Sequence, residues 1–376
     1  MKSPFAINSS KALDRLEAAV TKSVNGKTIR NAVLHVDSQR AGIRGTWANG
    51  VADERDNSPM LPETPFLSAS IGKIAMAATA FDLASEGIIE LDESITAWIA
   101  KDVLAKLPAA GGSKSIEEIT VRMLTANRSG LPDYFDSDVH SSADGAPSVM
   151  ELLVSEPLRT WSREQLIEYV QAHYGPFALP GERFLYSDLN WDLLGLVFEG
   201  ATQQPFHRVV HERVLDPLGM TKTWYHVFEN PPESIGGYAD VFAGEINLTR
   251  QPCLTVDQAG GGLITTAEDL GKLMRSLADG NPVGLDRLGT DWTEDAMSRG
   301  LDYGYGTWRW RPGRIFFAMG GLPELKGVSG SNNSYAYVTS RGDVVTGTMN
   351  QADDPSRHVK FVLSKVLPIL ERVKVG

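Results

Sequence analysis

Ser70 and Lys73 are the first residues of this chain whose types and spacing predict chemistry. Residues three apart share one face of a helix, so a helix here would set the Ser70 hydroxyl beside the Lys73 amine. A serine hydroxyl is a weak nucleophile until a neighbouring group accepts its proton, and lysine can be that group where its surroundings favour the neutral amine. About one S-x-x-K is expected by chance in a chain of this composition, so the spacing needs support from other residues.

Tyr186 is the second candidate for chemistry. It ends the segment Pro180–Tyr186, in which a Pro-Gly turn directs the chain back towards the core. A tyrosine beside a Ser–Lys pair can carry protons, as a base in one protonation state and as an acid in the other. The ordinary alternative is a buried aromatic ring whose hydroxyl has found a partner.

A run of small residues, Ser329, Gly330 and Ser331, precedes an expected strand at Ser334–Ser340. A strand edge beside the nucleophile can offer a backbone N–H to an oxyanion, as can the N–H of a serine that begins a helix. Small residues also permit a substrate to approach closely. The alternative is a polar loop that enters a strand.

The elements that must position these residues follow from the periodicity of the chain. Helices are predicted at 9–24, 70–85, 119–126, 188–199, 206–215 and 355–373. Two further helices open at the capping pairs Ser162 with Gln165 and Thr265 with Glu268, and Pro368 is expected to kink the last helix of the chain. Strands are predicted at 31–37, 42–47, 304–311, 314–319, 334–340 and 343–349.

Together the three motifs resemble those of the serine β-lactamase and penicillin-binding-protein superfamily. Its pattern is S-x-x-K, then Y-x-N or Y-S-D, then K/H-T/S-G on a strand, and the likeness is closest to the branch of class C β-lactamases, D-aminopeptidases or D-amino-acid amidases, and family VIII carboxylesterases. Supporting stretches are similar at 119–134 (ITVRMLTANRSGLPDY), 180–187 (PGERFLYS) and 259–270 (AGGGLITTAEDL). The resemblance covers the chain from about 30 to about 350.

The resemblance implies a role for each matching residue. Ser70 is the nucleophile that becomes acylated, and Lys73 with Tyr186 forms the proton-transfer pair. Asp188 stands where many relatives have an asparagine that contacts the lysine and the substrate carbonyl. The backbone N–H groups of Ser70 and Ser331 form the oxyanion hole, and Ser329 and Gly330 line the substrate site.

Two positions depart from the superfamily pattern. Val328 stands where the third motif has a lysine or histidine, and valine can neither donate a hydrogen bond nor carry charge. This disfavours substrates held by a carboxylate, such as β-lactams and peptidoglycan stems, and favours neutral esters or amides. Asp188 replaces an asparagine, and an ionised aspartate would keep Lys73 protonated and shift the general-base role towards Tyr186.

The fold implied by the resemblance is an α/β plus all-α arrangement of the β-lactamase/transpeptidase-like class. An antiparallel β-sheet is flanked by N- and C-terminal helices, and a helical domain is inserted. We expect residues 1–85 and 256–376 to form the α/β domain and residues 86–255 the inserted, mainly helical domain. The active site is expected in the cleft between them.

Composition excludes several other classes of function. The net charge of −11 and the lack of a long basic run disfavour nucleic-acid binding. No run of eighteen apolar residues is present, so no membrane span is expected, and the default compartment is the cytoplasm. Cys253 is the single cysteine, no H-E-x-x-H motif is present because His207 and His211 lack the glutamate between them, and Gly260–Gly262 lacks the G-x-G-x-x-G pattern. Neither a metal nor an organic cofactor is therefore expected.

The sequence thus predicts a serine hydrolase that acts through an acyl-enzyme on small ester or amide substrates, as a carboxylesterase or a D-amino-acid amidase or peptidase does. A β-lactamase or DD-peptidase is one alternative. An acyltransferase with an acceptor other than water is another, as is a catalytically weak binding member of the superfamily. The acyl group, the leaving group, the stereochemical preference and the oligomeric state are left open.

Overall fold

A large antiparallel sheet draws its strands from both ends of the chain. The computed structural model describes residues 7–136, 140–243, 246–256, 258–281, 284, 288, 301–310, 315–321, 332–351 and 357–373. In spatial order, the eight strands of the sheet are β3 Ser58–Pro59, β2 Ile43–Asp53, β1 Ile29–Ser38, β13 Val344–Gln351, β12 Asn332–Val338, β11 Ile315–Gly321, β10 Trp308–Trp310 and β9 Leu301–Tyr303.

The chain also forms two smaller sheets. The first contains, in order, β4 Phe66–Leu67, β8 Leu263–Thr265 and β5 Trp224–Tyr225. The second is the pair β6 Phe242–Ala243 and β7 Ile246–Asn247. The three-stranded sheet matters for function because β4 leads directly into Ser70.

Most of the helices lie in the chain between β4 and β8. The helices before the last strands are α1 Ser9–Ser23, α2 Gly72–Ser85, α3 Lys101–Leu104, α4 Ser113–Glu118, α5 Val121–Thr125, α6 Val149–Ser155, α7 Arg163–His173, α8 Asp188–Thr202, α9 Phe206–Val210 and α10 Ala267–Ala278. A C-terminal helical segment consists of Arg357–Phe361, the π-helical turn Val362–Val366 and Leu367–Glu371. Among the described residues, no helix is both long enough and apolar enough to cross a membrane.

β1 is an interior strand of the large sheet and pairs with β2 on one side and β13 on the other. Its residues from Asn31 to Val36 are all buried, which is typical of a strand covered on both faces. Leu34 packs into a core with α1 and the C-terminal helical segment, whereas Val33 packs into the core that contains α2 and α10. The alternation of side chains along β1 therefore separates an outer helical layer from the layer that carries Ser70.

Three expectations about elements need correction. Thr265 does not cap α10: it lies in β8, and the side chain of Thr266 caps the helix by accepting the Asp269 N–H. The predicted strand at 304–311 starts too early: a turn with Gly306 at a φ of 68° separates β9 from β10, and the described strand within the predicted range is Trp308–Trp310. Pro368, which was expected to kink the last helix, lies in the first turn of its final segment, Leu367–Glu371. The departure from α-helical geometry comes before the proline, in the π-helical turn Val362–Val366. The Ser162–Gln165 capping box is confirmed at the start of α7.

Candidate active site

The nucleophile candidate lies on a sharp turn between a strand and a helix. β4 pairs with β8, and the Ser68 N–H donates to the Leu263 carbonyl at 2.9 Å. Ala69 then takes a φ of 47°, a left-handed conformation that is unfavourable for a residue with a Cβ. The chain continues through the short turn Ala69–Ile71 into α2. This strained residue ends the strand abruptly, so the half-buried Ser70 stands at the start of the helix.

Lys73 is a buried cation whose ammonium group is well supplied with acceptors. Only 1% of its surface is exposed. Its Nζ donates to Ser70 Oγ at 2.9 Å, to Asp188 Oδ1 at 2.5 Å and to the Gly260 carbonyl at 3.4 Å. A buried charge is stable only when it is paired and hydrogen-bonded, and Lys73 meets both conditions. The ammonium group therefore links the Ser70 hydroxyl to the Asp188 carboxylate.

Asn127 holds the segment that carries Tyr186 on both sides of the tyrosine. The Leu185 N–H donates to the Asn127 carbonyl at 3.0 Å, and the Ser187 N–H donates to Asn127 Oδ1 at 3.2 Å. Asn127 is itself buried and takes a left-handed φ of 55°. One side chain and its own backbone thus fix the position of Tyr186 opposite α2.

Aromatic rings from the β9–β10 hairpin orient the Tyr186 ring. Trp308 stacks on it with a centroid distance of 6.0 Å and an angle of 14°, and Tyr303 meets it edge-on at 5.8 Å. The Lys73 Nζ lies 5.2 Å from the centre of the same ring. Because the ring is held from three directions, its hydroxyl is kept next to Ser70 and Lys73.

The surroundings of Lys73 and Tyr186 keep both groups protonated in the resting site. Burial by itself lowers the pKa of Lys73, but the Asp188 carboxylate and Tyr186 together raise it above its ordinary value. Burial raises the pKa of Tyr186, and the Lys73 charge and hydrogen bonding to Ser70 oppose this only in part. The site at neutral pH therefore contains an ammonium and a phenol, and the form with a free base becomes populated as the pH rises.

Residues 9–362 match the family described as Beta-lactamase, which is more than half of the chain. The chain belongs to the beta-lactamase family. The fold expected from the sequence, an antiparallel sheet between terminal helices with inserted helices, is confirmed by its likeness to solved structures. The D-amino acid amidase from Ochrobactrum anthropi SV3, complexed with L-phenylalanine amide, superposes with a TM-score of 0.75 at 20% identity, covering 96% of this chain and 99% of that one.

Two further relatives of this beta-lactamase family member are hydrolases by name. EstCE1, "a hydrolase with promiscuous acyltransferase activity", superposes with a TM-score of 0.71 at 19% identity, covering 95% of this chain and 99% of that one. Esterase EstB of Burkholderia gladioli is 29% identical over 219 residues, which are 57% of this chain and 52% of the esterase. The chain spans about half or less of the length of the curated relatives it matches. At these identities the solved structures show the fold alone.

A second layer of carboxyl groups lies behind the Lys73–Asp188 pair in this beta-lactamase family member. Asp133 Oδ1 accepts the Asp188 N–H at 2.9 Å, and burial, followed by the Asp188 charge, raises the pKa of Asp133 to about 8. Asp192, one helical turn after Asp188, accepts the Tyr134 hydroxyl at 2.7 Å, and burial raises its pKa to about 7. Within the described residues, no three His, Cys, Asp or Glu side chains are grouped so as to hold a metal ion.

Replacing Asp192 with asparagine is expected to flatten the pH dependence of stability. The folded protein retains the Asp192 proton up to about pH 7, whereas the unfolded chain releases it near pH 4. Folding therefore takes up a proton in this window, and the free energy of unfolding falls as the pH rises through it. In Asp192→Asn the fall between pH 5 and 7.5 should be smaller by about 1 to 3 kcal/mol, measured by urea unfolding.

The matched control for this measurement is Asp14→Asn on the exposed face of α1. It should leave the wild-type pH slope unchanged. An Asp192→Asn slope equal to the wild-type slope would mean that Asp192 is already ionised in the folded protein at pH 5.

Two glycines let the backbone approach Lys73 closely. A Cβ on Gly260 would stand 3.3 Å from Lys73 Nζ and 3.0 Å from the Trp191 Cβ, so the Gly260 carbonyl reaches the ammonium group only because no side chain intervenes. A Cβ on Gly306 would lie 2.7 Å from the Lys73 carbonyl oxygen. The Gly-rich turn at 259–262 was matched to the superfamily, but sequence reasoning assigned neither glycine to the site.

Sequence reasoning also missed the contacts by which Asn127 and Trp308 position Tyr186. The segment that carries Ser70 also contacts the large sheet. β11 runs beside the turn Ala69–Ile71, and the Ser334 hydroxyl of β12 donates to the Ser68 carbonyl. The structure thus brings Ser70, Lys73, Tyr186 and Asp188 together, as expected. The remaining predicted site residues lie outside the described residues and stay predictions: Val328, Ser329, Gly330 and Ser331.

Proposed function

We propose that this chain is a serine hydrolase that acts through an acyl-enzyme on small ester or amide substrates. The observation that carries the proposal is the buried Lys73 ammonium, which binds Ser70 Oγ at 2.9 Å and Asp188 Oδ1 at 2.5 Å beside the Tyr186 ring. A hydroxyl, an amine and a phenol in mutual reach are the parts of a nucleophile with its proton-transfer partners. The esterase and amidase relatives support the same class of reaction.

The proposed reaction has two acyl-transfer steps. Ser70 Oγ attacks the substrate carbonyl carbon as its proton passes to the Tyr186–Lys73 pair, and that proton then reaches the departing alcohol or amine. The acyl group remains on Ser70 as an ester until water attacks it, losing its proton to the same pair. The acid leaves and Ser70 recovers its hydrogen. The N–H of Ser70, at the start of a helix, supports the carbonyl oxygen in both steps, and we propose the Ser331 N–H as the second donor.

The substrate class follows from the charges around the site. Val328 offers no cation for a substrate carboxylate, while Lys73 is already paired with Asp188. A neutral ester, or an amide such as an amino-acid amide, does not need an additional cation. We therefore place esters and amides ahead of β-lactams.

A panel of substrates tests this proposal on the purified protein. It contains p-nitrophenyl acetate and butyrate, D- and L-phenylalanine amide, and nitrocefin, each with wild type and with Ser70→Ala. We expect at least one ester or amide to turn over much faster than nitrocefin, with a burst of product equal to one acyl group per chain. Faster turnover of nitrocefin would assign a β-lactamase instead, and the lack of turnover with every substrate would leave a binding protein.

Replacing Asp188 with asparagine is expected to shift the pH profile of kcat/KM towards lower pH. The Asp188 carboxylate raises the pKa of both Lys73 and Tyr186, so its removal lowers both. The free base then forms at lower pH, and the rising limb of the profile should move by about one pH unit or more. Asp102→Asn, exposed on α3, should leave the limb in place. If the rising limb of the kcat/KM profile were unchanged in Asp188→Asn, the ionisation of neither Lys73 nor Tyr186 would govern the rate.

A further inference from the structure

A groove in the outer helical layer of the fold combines positive charge with an apolar floor. It lies between α1 and the C-terminal helical segment and encloses about 610 Å³. Pockets that hold small organic molecules have volumes of roughly 300 to 1,000 Å³. The groove is on the opposite side of the large sheet from the layer that contains Ser70, so it is separate from the proposed active site.

Four basic side chains line this groove and no acidic side chain does. Arg15 and Lys22 come from α1, and Lys365 and Arg372 come from the end of the chain. None of the four is paired with a carboxylate of the described residues. The whole chain has a net charge of −11, so this is a local reversal of sign. Uncompensated cations in a concave surface attract anions from solution.

The cations lie on the two helical walls of the groove. Ile7 N–H donates to the Arg372 carbonyl at 2.9 Å, which sets the start of α1 beside the end of the C-terminal helical segment. The two therefore run antiparallel, with Arg15 and Lys22 on one wall and Lys365 and Arg372 on the other. Seven residues separate the cations on each helical wall, which is two turns or about 10 Å.

The rest of the lining, which we call the floor, is mostly apolar. It consists of Ala18, Ala19, Phe361, Pro368 and Ile369, with the two serines Ser23 and Ser364. Apolar surface in a concave site favours the apolar part of a ligand by roughly 25 cal/mol for each Å² removed from water. A small inorganic anion would leave this floor uncovered, whereas an organic anion would use both the floor and the cations.

We propose that this groove binds a small amphiphilic anion, with its aliphatic or aromatic body on the floor and its acidic group against the lysine and arginine side chains. The chemistry that matters is a carboxylate or sulfonate attached to an apolar body of moderate length. The proposal is independent of the reaction at Ser70.

Fluorescence titration with 8-anilinonaphthalene-1-sulfonate tests the proposal, using full-length protein in the Ser70→Ala background. The Ser70→Ala protein with its groove unchanged should bind the probe at one saturable site, and the affinity should fall as salt is added. The charge-reversed Lys22→Glu/Lys365→Glu variant should bind about tenfold more weakly or worse. Lys101→Glu/Lys114→Glu changes the net charge equally on exposed helices elsewhere and should bind within about twofold of wild type. Thermal melting checks that both variants are folded.

Competition then identifies the ligand chemistry. Decanoate should displace the probe from wild type, and neutral decyl maltoside should not. The proposal is overturned if Lys22→Glu/Lys365→Glu binds as tightly as its control, or if the neutral amphiphile competes as well as the anion. Co-sedimentation with phosphatidylglycerol vesicles that is lost in the same variant, without saturable binding of the free anions, would assign the groove to a membrane surface and also overturn it. A milder Lys22→Gln/Lys365→Gln variant should give an intermediate loss, which distinguishes a charge effect from misfolding.

Discussion

Ser70→Ala is expected to lower kcat/KM for the best ester or amide substrate by at least about 10³-fold. The substitution removes the atom that forms the acyl bond, while Lys73 Nζ keeps its hydrogen bonds to Asp188 and the Gly260 carbonyl. The ammonium group keeps Asp188 and Gly260 as partners, so the fold should survive. Steady-state kinetics and a thermal melt on the same samples separate loss of chemistry from loss of structure.

Covalent labelling gives this prediction a second, independent readout. A fluorophosphonate that modifies activated serines should add one group to wild type, and peptide mass analysis should place it on Ser70. Ser85→Ala is the matched control, because Ser85 ends the same helix and its hydroxyl donates to the Asp82 carbonyl at the exposed end. Ser85→Ala should keep full activity and labelling. A label on another serine, together with an active Ser70→Ala variant, would contradict the assignment.

Lys73→Met is expected to lower kcat/KM by about 10² to 10⁴-fold, the usual contribution of a positioned proton-transfer group. Methionine has a similar length but neither accepts nor delivers a proton. The substitution also leaves the Asp188 carboxylate without its cation, so a loss of stability should accompany the loss of activity. Kinetics and urea unfolding should be measured together.

A double variant separates these two effects. Lys73→Met/Asp188→Asn removes the unpaired charge, so it should recover much of the stability and none of the activity. Lys101→Met, at an exposed position of α3, should change neither quantity. If stability and activity returned together in the double variant, Lys73 would be a structural residue and the proposed proton transfer would be wrong.

Local spacing predicted a good part of this site. Ser70 lies in the short turn Ala69–Ile71 and Lys73 in the first turn of α2, and this continuous helical path places Ser70 Oγ and Lys73 Nζ 2.9 Å apart, as the spacing predicts. The proximity of Tyr186 and Asp188 came from the family resemblance, since no periodicity connects residue 70 with residue 186. The direction of the Lys73 pKa also followed from one substitution in that pattern, the aspartate at 188.

Other parts of the site could not be predicted because they depend on contacts between distant segments. Asn127 was part of a matched stretch, yet nothing local shows that its amide lies under the Tyr186 segment. Trp308 has the alternation of a strand residue, and only the turn at Gly306 brings its ring onto Tyr186. The capping residue of α10 was missed by one position because Thr265 and Thr266 are chemically alike. The pairing of β8 with β4 continues through Thr265, so the capping position falls on the next residue, Thr266.

The pairing of β1 with β13 has a consequence for how the protein is made. β1, an interior strand of the large sheet, leaves the ribosome long before β13, its partner on one side. Until then, an apolar strand with open hydrogen-bonding groups is available to any other nascent chain. Such distant partners also make closure of the sheet slow. We therefore expect yield in a heterologous host to depend on growth temperature and chaperone supply, and a release of the chain before residue 344 to give aggregates even though Ser70 and Lys73 have long been synthesised.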